Sequence, residues 1–361
     1  VTTSLSGGAL GGLLEFRAQM LEPTRQALGE TALALTTGFN EQHAAGMDLY
    51  GELGGGFFGI DPPAVLYSAN NTGSGTVGVA VSDITALDDT DYILEYDGVG
   101  YTLEMRATGQ AVPMSGSGTA ADPYTAAGLA LTVAGTPAAG DRFLIRPKGA
   151  AGSMTALVND PQAIAMASPV RTQSSGDNIG SATISAPVVT DAADPNLLTT
   201  AVLEFTTAGT YSIDGAGAFT YTSGDEISVN GTTFTISGTP AAGDGYTLEA
   251  NLGASGDNSN GLKLGQVQSV GLLDGGSVSI NDHYGQLVAA VGGATQQIKS
   301  NLEAQNVILA NAEDAQLSQS GVNLDEEAAN LIRFQQAYQA AAHVVSVANT
   351  LFDSLLNATR R

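Results

Sequence analysis

Residues 320–357 read SGVNLDEEAANLIRFQQAYQAAAHVVSVANTLFDSLLN, and within this stretch Leu324, Leu331, Phe334, Tyr338, Ala341, Val345, Ala348, Phe352 and Leu355 recur in steps of three and four. Glu327 holds the same register as a polar member. That spacing lays the side chains along one stripe of a helix that packs lengthwise against another helix. Asn323 with Glu326 three residues on has the form of a capping box, and Asp325, Glu326 and Glu327 suit the positive end of the helix dipole.

Working back from this helix, Tyr284, Val288, Val291, Thr295, Ile298, Leu302, Gln305, Leu309 and Ala312 form a second, more polar run in the same steps. Ser320 and Gly321 mark a bend, so the two helices are predicted to fold back as an antiparallel hairpin. A third run lies near the start, through Leu14, Ala18, Leu21, Arg25, Leu28, Ala32, Leu35 and Phe39, and is broken only by Arg25. Pro23 within it predicts a kink, or a helix restarted with proline in its first turn. This helix should end near Gly46. The plain reading of such seams is core packing within a bundle. Their regularity at both chain ends exceeds what a globular core requires, so they are candidates for packing between subunits: Leu14, Leu21, Leu28, Leu35 and Phe39 in the first helix, and the nine residues from Leu324 to Leu355 in the last.

Between the helical ends lie short β-type runs separated by turn signals. Strands are expected at 76–81, 92–96, 101–105, 129–133 and 143–145, and again at 201–206, 211–213, 219–222, 227–229, 232–236 and 246–249. Asp97-Gly98, Asp214-Gly215 and Asn230-Gly231 supply hairpin turns. This is sandwich or barrel spacing. Gly135-Thr-Pro-Ala-Ala-Gly-Asp141 recurs as Gly238-Thr-Pro-Ala-Ala-Gly-Asp244, each copy following an apolar strand. Two copies are too few for a solenoid, so each is expected to be its own small domain. The fold class is thus α+β: an elongated molecule in which long coiled-coil-like helices from both chain ends form a shaft, with two inserted antiparallel β-rich domains. The expected division is 1–66 (helical shaft segment), 67–169 (first β-rich domain), 170–254 (second, acidic β-rich domain) and 255–361 (C-terminal helical hairpin).

The composition narrows the function. The 361 residues carry 36 Asp and Glu against 12 Lys and Arg, a formal charge of −24 that would repel nucleic acid. Between Arg171 and Lys263 there is no Lys or Arg at all, which marks the second β-rich domain as an acidic, solvent-facing body. With no Cys, disulfides, thiolate metal sites and cysteine nucleophiles are excluded, as suits a chain that must unfold and cross between redox compartments. Neither a Sec-type signal nor a stretch apolar enough to span a bilayer is legible, so no membrane insertion is expected. The first residue is Val1, and the chain is expected to be a fragment or a processed form.

Catalytic and cofactor signals are weak throughout. His43, His283 and His343 share no metal-ligand spacing and are read as structural or exposed. Asp88, Asp89 and Asp91 lack the order of a calcium loop and read as a solvated turn. Ser255-Gly-Asp-Asn-Ser-Asn-Gly261 reads as a linker. Gly7-Gly-Ala-Leu-Gly-Gly12 matches no phosphate-binding pattern and reads as a tight turn where two chains or helices approach closely. No Gly-x-Ser-x-Gly elbow is present, Ser117 lying in a Ser/Gly loop. No enzyme activity, metal or cofactor is expected.

Several stretches together resemble a known family. Gly11-Gly-Leu-Leu-Glu-Phe-Arg17, Leu28-Gly-Glu-Thr-Ala-Leu-Ala34, Phe39-Asn-Glu-Gln-His43, Gly56-Phe-Phe58, Ala163-Ile-Ala-Met-Ala-Ser168, Ser320-Gly-Val-Asn-Leu-Asp-Glu-Glu327 and Ala348-Asn-Thr-Leu-Phe-Asp-Ser-Leu-Leu-Asn357 are similar to the hook-associated junction proteins of the bacterial flagellum. The resemblance implies a structural subunit that joins hook to filament by assembling into a ring at the distal end of the hook. It implies partners in other copies of the chain, the hook protein, a second junction protein and an export chaperone at the C-terminal helix. It also implies an extracellular place on the flagellum, reached through the flagellar type III apparatus. The family's N-terminal portion, whose helix pairs with the C-terminal one, is expected to precede the part matched here, and residues 170–254 are expected to be an extra β-domain made by duplicating the first. The competing readings are another axial component such as flagellin, or an adhesin-like surface protein with β-domains on a helical stalk.

Overall fold

The computed structural model describes residues 8–88, 90–148, 151–253, 256–320 and 324–359. Gly7, Asp89, Ser255, the Gly321 bend and the Asn323 cap lie outside the described residues. Two compact units divide the chain, residues 1–291 and residues 292–361. The architecture is mixed, with helices at both ends and antiparallel sheets between.

Helix α1 (Gly8–Phe16) takes up Gly8, Gly11 and Gly12, so the glycine run is helical rather than a turn. A single π-helical turn (Arg17–Leu21) joins it to α2 (Glu22–Ala44), and Pro23 sits in the first turn of α2. Proline removes one N–H and crowds the carbonyl four residues back. The wider turn absorbs both, with the Glu22 N–H donating to the Arg17 carbonyl one residue further away than in an α-helix.

Each β-region is a two-sheet sandwich of the same topology. In the first, a five-stranded sheet runs in the spatial order Ala64–Tyr67, Asp141–Arg146, Tyr92–Tyr96, Tyr101–Met105, Ala111–Val112. It faces a three-stranded sheet of Thr76–Val81, Leu129–Ala134 and Tyr124–Ala126. In the second, the order is Val170–Ser174, Gly245–Ala250, Ala201–Thr207, Thr210–Ile213, Ala216–Thr220. Its facing sheet gathers Thr183–Ile184, Val188–Val189 and Glu226–Val229 around Thr232–Ser237. Alternation of apolar and polar residues fills each interior. Tyr92, Leu94, Leu131 and Phe143 are buried in the first core, and Leu203, Phe205, Ile236 and Tyr246 in the second.

The repeated heptapeptide is explained by its hydrogen bonds. The Asp141 carboxylate accepts from the N–H groups of Ala138, Thr72 and Gly73, and the Asp244 carboxylate accepts from those of Ala241, Ile179 and Gly180. Asn71 and Asn178 repeat as well: each side chain exchanges two hydrogen bonds with the backbone of the residue after the aspartate, Arg142 and Gly245. The repeat is a folding device that pins one sandwich end, not a ligand loop.

Helix α2 is part of the first core, through Leu33 and Ala34, together with Val267, Leu273 and Ile280. The presumed linker is a structural hub. Asp257 accepts from the Ser168 N–H and the Asn251 side chain, and α3 (Ser259–Gln266) begins directly after. Within α3, Asn260 is buried between Gln42 and Ala165. Helix α4 (Ile280–Ser320) and helix α5 (Leu324–Thr359) complete the chain.

Candidate assembly surface

Helix α5 is where the sequence places the assembly seam. Its 36 residues include no buried one. Leu324, Leu331, Phe334, Tyr338, Val345, Phe352 and Leu355 are all exposed, with Leu331 at 68%, Phe334 at 73% and Val345 at 59%. Ala341 and Ala348 complete the stripe and are exposed too. Among the described residues of 292–361 none is buried, so the predicted hairpin does not pack α5 against the distal part of α4. The physical reason lies in the seams: both carry an apolar stripe, yet the α4 stripe is interrupted by Thr295 and Gln305 and offers α5 an incomplete partner.

Beyond the seam, Val344, Val347 and Leu351 are exposed on another side of α5, a feature the heptad pattern missed because it followed one stripe only. From Phe334 to Phe352 the helix has no Asp, Glu, Lys or Arg. Burying each large apolar side chain contributes about 1.5–3 kcal/mol. An open stripe of this length therefore represents a large unspent driving force for association. No described helix is long and apolar enough to cross a membrane.

The first-helix seam fares differently. Leu21 and Leu28 are exposed and Leu14 is half-buried. Leu35 packs against the first core, and Phe39 lies 4.8 Å from Phe57 and 5.2 Å from Phe58 between ring centroids. Leu35 and Phe39 are thus intramolecular, and the face of α2 that is buried runs instead through Gly29, Glu30, Leu33 and Ala34.

The sequence also missed what fixes α2 to its surroundings. Glu30 Oε1 lies 2.9 Å from Lys148 Nζ, both buried, and His283 at the start of α4 places Nε2 3.5 Å from Glu30 Oε2 and Nδ1 3.0 Å from the Thr31 hydroxyl. Arg17, Glu22, Arg146, Asp91 and Arg106 form a chain of ion pairs. Asp91 is buried, so it does not belong to a solvated turn. His43 is buried as well. Its Nδ1 faces the Gly55 carbonyl at 2.8 Å and its Nε2 accepts from the Ala165 N–H at 3.0 Å, which assigns the ring proton to Nδ1. Asn40 accepts from the N–H groups of Phe57 and Phe58 and donates to the Phe58 carbonyl. These groups are consumed by structure. No group of three potential metal ligands occurs among the described residues.

Comparison with known proteins identifies the family. Residues 1–58 match the helical domain of flagellar hook-associated protein FlgK, residues 66–147 the D2-like domain of flagellar hook-associated protein 1, and residues 314–358 the C-terminal domain of flagellar basal body rod FlgEFG proteins. The chain is 32% identical to flagellar hook-associated protein 1 of Escherichia coli over 354 residues, which is 98% of this chain and 50% of that protein. Its counterpart in Salmonella typhimurium is 32% identical over 356 residues, with the same shares. The chain thus spans about half the length of these curated relatives. The solved structure of the flagellar hook junction protein FlgK from Burkholderia pseudomallei superposes with a TM-score of 0.74 at 32% identity, over 86% of this chain and 63% of that one.

Proposed function

Because the chain belongs to the flagellar hook-associated protein 1 family, we propose that it is a structural subunit of the bacterial flagellum, not an enzyme, and that it joins hook to filament by self-assembling into a ring at the distal end of the hook. The observation that carries this reading is α5, a 36-residue helix with none of its apolar side chains buried. A helix gains most of its stability from packing one face, so α5 is completed by its neighbours in the assembly. There the seam from Leu324 to Leu355 closes as a coiled-coil shaft.

The helical parts at 1–66 and 255–361 supply that shaft, and the β-rich domains at 67–169 and 170–254 face water. Partners are other copies of the chain, the hook protein, a second junction protein and an export chaperone that shields the C-terminal helix. Export runs through the flagellar type III apparatus to an extracellular place on the flagellum, where the subunit serves motility.

The test is electron microscopy of a strain deleted for the gene and complemented with the full-length gene carrying Leu331→Asp or Val345→Asp. Bare hooks, with flagellin lost to the medium, are the expected result, while the near-UV circular dichroism of each purified variant stays that of the parent. Normal filaments in both strains would overturn the seam assignment.

A further inference from the structure

The two sandwiches share a topology but differ at one edge. In the first, the outermost strand of the five-stranded sheet is the two-residue Ala111–Val112, followed at once by Pro113. In the second, the corresponding strand is the five-residue Ala216–Thr220, exposed along its whole length. Natural sheets blunt an open edge with shortness, proline or charge, because a bare row of N–H and C=O groups recruits another strand. The first copy uses shortness and proline. The second uses neither, and no Asp, Glu, Lys, Arg or Pro occurs between Asp214 and Asp225; its one irregularity is a register shift between Tyr211 and Ile213, which leaves the pairings of Phe219 and Thr220 regular.

The Tyr221 N–H donates to the Gly209 carbonyl, and Phe219 pairs with Tyr211. By the two-residue alternation of a strand, Ala218 and Thr220 turn their N–H and C=O groups away from the sheet. Phe219 stacks on Tyr211, with ring centroids 5.5 Å apart, and remains 44% exposed.

Charge selects the occupant. Residues 172–262 hold ten Asp and Glu and no Lys or Arg, and Asp214, Asp225 and Glu226 are exposed at the two ends of this edge. A second copy of the sandwich would bring the same charge, whereas a cationic strand neutralises it and brings an ammonium or guanidinium group to the exposed part of the Phe219 ring.

We propose that Ala216–Thr220 is a docking edge to which another protein adds an extended, Lys- or Arg-bearing strand. The proposal stands apart from the junction role and from the α5 seam.

The test uses the whole chain at about physiological salt, where weak nonspecific attraction is screened. The probes are a labelled peptide of alternating lysine and valine and its glutamate–valine counterpart. Saturable binding of the lysine peptide is expected, at least tenfold tighter than the glutamate peptide, with slowed amide exchange at Ala218 and Thr220. Ala218→Pro should weaken binding at least tenfold without lowering the melting temperature. Should that variant fail to fold, Thr220→Lys keeps the backbone intact and should weaken the lysine peptide while favouring the glutamate one. Failure of the lysine peptide to bind, undiminished binding in the folded variant, or unprotected amides at Ala218 and Thr220 would overturn the proposal. So would a dimer of the parent chain that the variant dissolves, since the occupant would then be a second copy.

Discussion

Glu30 on α2 and Lys148, just past the last strand of the first sandwich, form an ion pair at 2.9 Å with side-chain exposures of 5% and 4%. Removing one partner of such a pair strands the other charge in the interior, at a cost of about 3–5 kcal/mol. Lys148→Met is therefore expected to lower the urea midpoint steeply. The double variant Glu30→Met with Lys148→Met should recover most of the loss, since an apolar pair of similar volume carries no desolvation penalty. A double variant as unstable as the single one would show that the pair is not what holds α2 there.

Gly29, beside Glu30, lies against the same segment. A Cβ built on it would overlap the Lys148 carbonyl oxygen, a backbone atom with no room to retreat. Gly29→Ala should destabilise by several kcal/mol, as overpacking does in its severe cases. Gly12→Ala, in α1 with open space around it, should instead stabilise by about 0.5–1 kcal/mol through reduced freedom of the unfolded chain. Thermal unfolding of the two variants side by side reads the difference.

The two aspartate clamps set an acid limit. Hydrogen bonds from backbone N–H groups, led by Ala138 and Ala241, hold the Asp141 and Asp244 carboxyls below the usual carboxylate range. A group whose folded pKa is depressed binds its proton more weakly than the unfolded chain does. Its stabilisation is present above the unfolded pKa, about 3.9, and is lost as the pH falls through the lower folded value. Stability measured from pH 6 downward should therefore fall below about pH 4, and Asp141→Asn with Asp244→Asn should flatten that part of the profile. An unchanged slope would locate the acid sensitivity elsewhere.

Asn260 donates to the carbonyls of Gln42 and Ala165 and accepts from the Gln42 side chain at 2.6 Å. Asn260→Asp keeps the shape but turns a carboxylate toward two carbonyl oxygens. It should cost about 2–4 kcal/mol at neutral pH, more than Asn260→Ala. Chemical denaturation at pH 7 and pH 5 checks it: the Asp variant should regain stability at the lower pH, whereas the Ala variant should not.

Much of the secondary structure was legible because its causes are local. β-type runs between turn signals located Thr76–Val81, Tyr92–Tyr96 and Tyr101–Met105 to the residue, and Asn230-Gly231 announced a turn with positive φ at both positions, 48° and 70°. The equivalent turn of the first sandwich escaped notice. Ala127 stands there at φ 47°, a conformation alanine does not favour by itself, and Gly128 follows beneath the Asp83 carbonyl, where a side chain would collide. Tertiary context imposes that turn. The clamps behind the repeated heptapeptide were equally hidden, since Thr72 and Gly73 reach Asp141 from the other end of the sandwich sequence.

The sequence by itself determined that helices with long apolar stripes flank a β-rich middle, and that this middle holds two related copies of one module. Periodicity, turn propensity and composition act over a few residues, so they survive without any knowledge of the fold. The tertiary structure alone decided which face of α2 is buried, that Leu35 and Phe39 serve the subunit's own packing, and that the seam of α5 stands open. It also decided that Glu30, Lys148 and His283 meet, across more than two hundred residues of chain. A buried charge is tolerated only where a partner arrives from elsewhere, and no local pattern records the arrival.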